Sequence, residues 1–154
     1  MSEANGSKTS AGELPWAGPG LSFYGSDTYH MATMIGTYDY YLFSGDNDFL
    51  SANWAKYQLA MTFITAKIDS TGLLDVTGTA DWGRLTQGGH NSEANMILYK
   101  VLTSGSQLAI WMNDSDLSNS WLALAATLRA AVNSASTWDA NAGFVFLYSV
   151  SCVC

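Results

Sequence analysis

Positive charge is scarce in this sequence. Six lysines and arginines stand against thirteen aspartates and glutamates in 154 residues, for a formal net charge of −7. Six scattered cations make no patch able to neutralise phosphates, so nucleic acid is excluded as a partner. No apolar run approaches the roughly 20 residues that span a bilayer, so a membrane-crossing helix is excluded as well. Cysteine occurs only at Cys152 and Cys154, in the closing "SCVC". Two positions apart on a tail, the pair is poorly placed for a mutual disulfide, has no matched histidine for a metal, and reads as incidental. Both prolines fall in "GELPWAGPGLSFYGSD", which with its glycines reads as irregular chain. The opening "MSEANGSKTSAGELP" has no apolar core of a secretory signal, and localisation stays open. There is no GxSxG, HExxH, CxxC or phosphate-cradling glycine loop. Nucleotide, zinc and serine-nucleophile chemistry are unsupported, and no cofactor or metal is expected.

What is abundant is apolar and aromatic. The apolar fraction is 48%, with six tryptophans and eight tyrosines, enough for one domain with a real core. The apolar residues recur at helical spacing. Met31, Met34, Ile35, Tyr38, Tyr41 and Leu42 mark one helix face, opened by Ser26 or Asp27 and stopped at "SGDN", with Gly45 suited to the position after the last turn. Leu50, Trp54, Tyr57, Met61, Ile64 and Ile68 mark a second, ending near Ile68. A third starts near Asn91 or Ser92 and carries Ala94, Leu98, Val101, Gly105, Leu108 and Met112. A fourth carries Leu117, Trp121, Leu124, Leu128 and Val132. The order is helix, short turn, helix, long loop, helix, short turn, helix. Trp54 and Trp121 are 67 positions apart and Met31 and Met96 are 65 apart, a faint repeat of one αα-hairpin. The fold class expected is all-α, built of two αα-hairpins. Alternation then puts the short turns at one end and the long loops at the other, where function gathers. Residues 1–26 read as an irregular segment and 27–143 as the helical domain. "FVFLYSVSCVC", residues 144–154, reads as an apolar, strand-like tail with no evident partner.

The long loop is chemically loaded. "TGTADWGRLTQGGHNSEAN" (77–95) brings Asp81, Trp82 and Arg84 together, an indole between a carboxylate and a guanidinium. Such a set suits a sugar, whose C–H face stacks on the ring while charged groups bond its hydroxyls. It equally suits an Asp81–Arg84 pair with Trp82 in the core. His90 precedes a cap at Asn91 or Ser92, and Glu93 in the first turn complements the helix dipole; His90 also fits a plain surface role. Asp27, Asp81 and Glu93 all fall at long-loop ends of helices, so they can share one face. Glycoside hydrolysis normally uses two carboxylates flanking the scissile bond.

"SDTYHM", "Y-x-x-S-G-D", "T-x-D-W-G-R" and "N-S-E-A-N-M", in this order between about Gly12 and Gly143, resemble fungal six-hairpin glycosidases of the α-L-rhamnosidase-like group. The resemblance implies a partial (α/α)6 toroid with a site at its mouth, and inverting hydrolysis of terminal α-L-rhamnosides by an acid and a base carboxylate in the intact parent. It implies that Asp27 and Tyr29 of "SDTYHM" and Asp81 and Trp82 of "ADWGR" line the sugar pocket, with Arg84, His90 and Glu93 as further substrate-binding positions. Ala32 departs from the aromatic residue expected after "TYHM". Two hairpins of six are present, and the segments that hold acid and base in relatives are not. The expectation is therefore a fragment of the catalytic toroid that is inactive as this chain, with self-association through exposed hairpin faces open to it. The alternative is a non-catalytic helical module that binds a sugar or a protein.

Overall fold

The computed structural model describes residues 11–17, 23–81 and 88–134, together with the backbone of 138–139 and 144–145. Trp82, Arg84, Cys152 and Cys154 lie outside the described residues. Four helices follow one another: α1 (Asp27–Ser44), α2 (Asn47–Thr65), α3 (Ser92–Trp111) and α4 (Ser115–Val132). A two-residue pair, β1 (Trp138–Asp139) and β2 (Phe144–Val145), runs antiparallel. The opening of the apolar tail thus has a partner a few residues upstream. Strands of two residues leave no periodicity for the sequence to show.

Each helix begins on a side chain that accepts a backbone N–H: Ser26, Asp46, Asn91 and Asp114 cap α1 to α4 in turn. Of the two candidates for the first cap, Ser26 fills it and Asp27 is the first helical residue. Helix α1 stops where Gly45, at φ 62°, takes a left-handed conformation and donates to the Tyr41 carbonyl, as glycine does after a last turn. Helix α2 is shorter than its apolar spacing suggests. It ends at Thr65 because Ile68 pairs across a tight turn with Leu74. Asp69 N–H donates to Leu73 O, and Asp75 N–H donates to Lys67 O. Leu42 belongs to the expected apolar face but is 48% exposed, at the open edge of α1.

The helices pack as two αα-hairpins side by side. Helix α1 lies along α3, where Tyr38 stacks on Trp111 at 5.8 Å. Helix α2 meets α4 through Trp54 and Trp121, whose rings cross edge to face at 6.0 Å. Gly105 sits inside an unbroken α3. A Cβ there would lie 2.5 Å from Met61 Cε and 3.2 Å from the Trp121 ring, so its missing side chain is the space into which α2 and α4 close. The core runs through all four helices and takes in Leu73, Leu74 and Val76 of the long loop. Alternating direction gathers the start of α1, the end of α2, the start of α3 and the end of α4 at one end, with the 66–91 connection. No helix among the described residues is long and apolar enough to cross a membrane.

Candidate functional site

The first turn of α1 is the knot at the loop end. Its amide groups favour negative charge, and three acids converge there. Asp27 is 1% exposed. Its Oδ1 accepts from Lys67 Nζ, and its Oδ2 accepts from the N–H groups of Thr77 and Gly78 at 3.0 and 2.9 Å. Its own N–H donates to Gly78 O. A Cβ on Gly78 would lie 2.6 Å from Asp27 Oδ1, so only glycine allows the loop to come this close. Beside it, Asp81 Oδ1 accepts from both Ser26 Oγ and Thr28 Oγ1. Ser26 pairs with Thr79 as an isolated bridge, and Ala80 N–H donates to Gly25 O. The loop therefore lies along residues 25–28 like a short strand, held at both edges by aspartates.

The third acid, Glu13, comes from the irregular N-terminal segment and accepts from Gly25 N–H at 2.9 Å. Next to it, Leu14 N–H donates to His30 Nδ1 at 3.0 Å. Nδ1 is therefore the unprotonated nitrogen, and Nε2–H donates to the Ala60 carbonyl of α2 at 3.0 Å. His30 is fully buried. That burial pushes its imidazole below the ordinary histidine value, against the pull of the Ala60 carbonyl. It fixes the N-terminal segment to α1 and α2 as a neutral ring. Tyr29 is half-buried and tilts against Trp16 at 6.2 Å, while Trp16 stacks on Phe23 at 5.0 Å.

The far half of the loop is held by the opening of α3. Val76 and Gly89 exchange two backbone hydrogen bonds. Asn95, wholly buried, accepts from Leu74 N–H with its Oδ1 and donates through Nδ2 to the Leu74 and Asn91 carbonyls. This accounts for both asparagines of "NSEAN": the first caps the helix and the second pins the loop. His90 Nε2 lies 2.8 Å from Asp69 Oδ2 on the exposed side of the loop. The Thr71 hydroxyl and N–H, with His90, hold the Asp69 carboxyl below its ordinary value. Glu93 is exposed in the first turn of α3.

The geometry thus joins Asp27, Tyr29 and Asp81 at the α1 N-terminus, places His90 and Glu93 at the α3 N-terminus, and leaves Trp82 and Arg84 outside the described residues. Chemically it is a polar network that fixes a loop, with both aspartates held by protein donors. No group of three or more His, Cys, Asp or Glu among the described residues could hold a metal. Sequence reading missed Glu13, His30, Lys67 and Asn95. His30 follows the spacing of the Met31–Met34 face, which hints at burial. Lys67 stands 40 positions from its partner, and nothing in the spacing announces it.

A two-hairpin, all-α unit whose loops gather at one end is one segment of a hairpin toroid. Residues 1–147 match the family model of the bacterial alpha-L-rhamnosidase six-hairpin glycosidase domain, and the chain belongs to that family. No curated protein matches the chain significantly. The family is one of glycosidases, so the fold is glycoside-hydrolase-like and its substrate class is carbohydrate.

Proposed function

We propose that the loop end is one wall of the sugar pocket of an α-L-rhamnosidase-like hydrolase, of the kind the motifs resemble in fungal members. In the intact parent it serves inverting hydrolysis of terminal α-L-rhamnosides. Trp82 is the stacking platform, and Tyr29, Arg84, His90 and Glu93 face the substrate. Asp27 and Asp81 act chiefly as positioning residues, because their oxygens are engaged in holding the loop that carries Trp82. The toroid portion on this reading is 27–143, with 1–26 an irregular segment before it and 144–154 an atypical apolar tail; of the described residues before α1, Glu13 and Leu14 brace the rim. The observation that carries the proposal is the convergence of Asp27 and Asp81 on the first turn of α1, in a chain of this family. Trp82→Ala in the intact parent then lowers kcat/KM for an aryl α-L-rhamnoside. Unchanged kinetics would return Trp82 to a packing role.

The isolated 154-residue chain is inactive on the same reading. Inverting hydrolysis needs an acid and a base carboxylate held across a pocket, and two hairpins supply one wall. Incubation of the purified chain with an aryl α-L-rhamnoside releases no rhamnose above the blank. Measurable release overturns this part of the proposal.

A further inference from the structure

His30 joins three parts of the chain, and it can do so in one protonation state. Nδ1 accepts from Leu14 N–H at 3.0 Å, while Nε2–H donates to Ala60 O at 3.0 Å. The neutral ring offers one acceptor and one donor; the imidazolium offers two donors and no acceptor. A proton on Nδ1 would set N–H against the Leu14 N–H, with the ring wholly buried. The Ala60 side is untouched, since Nε2 donates in both states. The bond to the N-terminal segment is therefore the one that acid removes.

The segment itself is shallowly seated. None of residues 11–17 is buried. Gly12, at φ 89°, lies so close to α2 that a Cβ would stand 2.2 Å from Leu59 O, and Trp16 tilts against Tyr29 at 6.2 Å. Trp16 also donates to nearby chain, through its N–H to Phe23 O and through Nε1–H to Tyr24 O. Segments with few buried contacts open at lower cost than the core. The charges around the ring set where release falls. Glu13 faces it from the segment and Asp27 from α1, and both favour the imidazolium, while Lys67, just past α2, opposes it. Helix α2 presents the uncharged Phe63 ring, tilted at 4.9 Å, and the Ala60 carbonyl. Burial outweighs the two carboxylates, so the seated ring titrates below the ordinary histidine value.

We propose that His30 is an acid-released latch: one proton on its ring frees residues 12–14 from the loop end while the four helices stay folded. Release takes Glu13 from Gly25, whose carbonyl accepts from Ala80 N–H of the long loop. Acid therefore loosens the stretch beside Asp81. Once the segment is open, the ring regains a value near ~6.5. The closing equilibrium then falls by up to about tenfold for each pH unit below that, as far as the seated value. The inference rests on hydrogen-bond geometry and on none of the sugar chemistry proposed above.

Amide hydrogen exchange and NMR of the full chain between pH 8 and 5 test this. Leu14 N–H loses protection by up to about tenfold per pH unit below ~6.5. Val101 and Leu102 of α3, wholly buried, keep theirs. The midpoint of the loss matches that of the His30 ring resonances. In His30→Gln, whose amide supplies an acceptor and donors without titrating, Leu14 protection no longer depends on pH. His90→Gln, at the second of the chain's two histidines, leaves the release in place and assigns the His30 ring. Should His30→Gln not seat the segment at pH 8, the match of midpoints in the unaltered chain decides. Constant Leu14 protection, loss of Leu14 and α3 protection together, midpoints that differ, or a release abolished by His90→Gln overturns the proposal.

Discussion

The two ends of the bundle solve the same problem differently. Every helix end leaves backbone groups without helical partners. At the short-turn end they are met locally. Asp46 accepts from Phe49 N–H, Asp114 accepts from Leu117 N–H, and Gly45 donates to Tyr41 O. Tyr41 reaches Asn47, six residues on. At the loop end the partners come from far along the chain. Asp27 is held by Lys67, Thr77 and Gly78, at separations of 40, 50 and 51 positions. Asn95 clasps Leu74 at a separation of 21. His30 joins Leu14 to Ala60. An end that only reverses the chain is exposed and locally capped. An end that must hold a 26-residue connection in one shape adds to its local caps a buried polar set whose bonds span the fold.

That contrast can be broken from the loop end first. Asp27→Ala leaves Lys67 without its partner and two loop N–H groups unmet. It costs about 3–5 kcal/mol in urea unfolding, with faster hydrogen exchange at Thr77 and Gly78. A loss comparable to that of a turn-end cap would erase the distinction. Asn95→Leu removes a buried amide that serves both polar groups of Leu74, and costs about 2–3 kcal/mol. Next comes pH. His30 is neutral when folded and its pKa is lowered by burial, so the unfolded chain binds its proton more readily. Its contribution is present above pH ~6.5, the unfolded value, and is lost as pH falls from there through the folded pKa. The slope from this one group reaches at most about 1.4 kcal/mol per pH unit. Urea midpoints between pH 8 and 5.5 test it, and in His30→Gln this segment of the profile flattens.

At the turn end, Asp46→Ala and Asp114→Ala each cost about 1 kcal/mol, additively, since the two caps share no partner. The smallest effect is expected where the loop end itself becomes local and exposed. The Asp69–His90 pair is open to water, and Asp69→Ala should change unfolding free energy by no more than about 0.5 kcal/mol. A large loss there would show that exposure is not what separates the two ends.

Legibility in the sequence follows the same division. The four helices, their caps and the short turns rest on residues a few positions apart, and those patterns can be read directly. The apolar face of α2 ran past the true end of the helix, because the pairing of Ile68 with Leu74 competes with the last turn and wins. In the candidate site, Asp27 and Asn91 stood out as residue types at helix starts, and Asp81 as an acid of the long loop. What each one holds was not visible, since Lys67 and the Thr77–Gly78 amides meet Asp27 only after α2 and the loop have folded back. His30 was missed: its place beside Met31 and four before Met34 hinted only at burial, and nothing marked it as the bolt between the N-terminal segment and α2.

Sequence alone determined the hairpin order, the alternation of directions and hence which ends of the helices share a pole, because helix periodicity and capping act within a turn or two of chain. Tertiary structure alone decided which polar groups are buried and which partners they take. Those bonds join residues that lie up to 55 positions apart, and a carboxylate or imidazole enters the interior only when a partner from elsewhere in the fold is already in place to receive it.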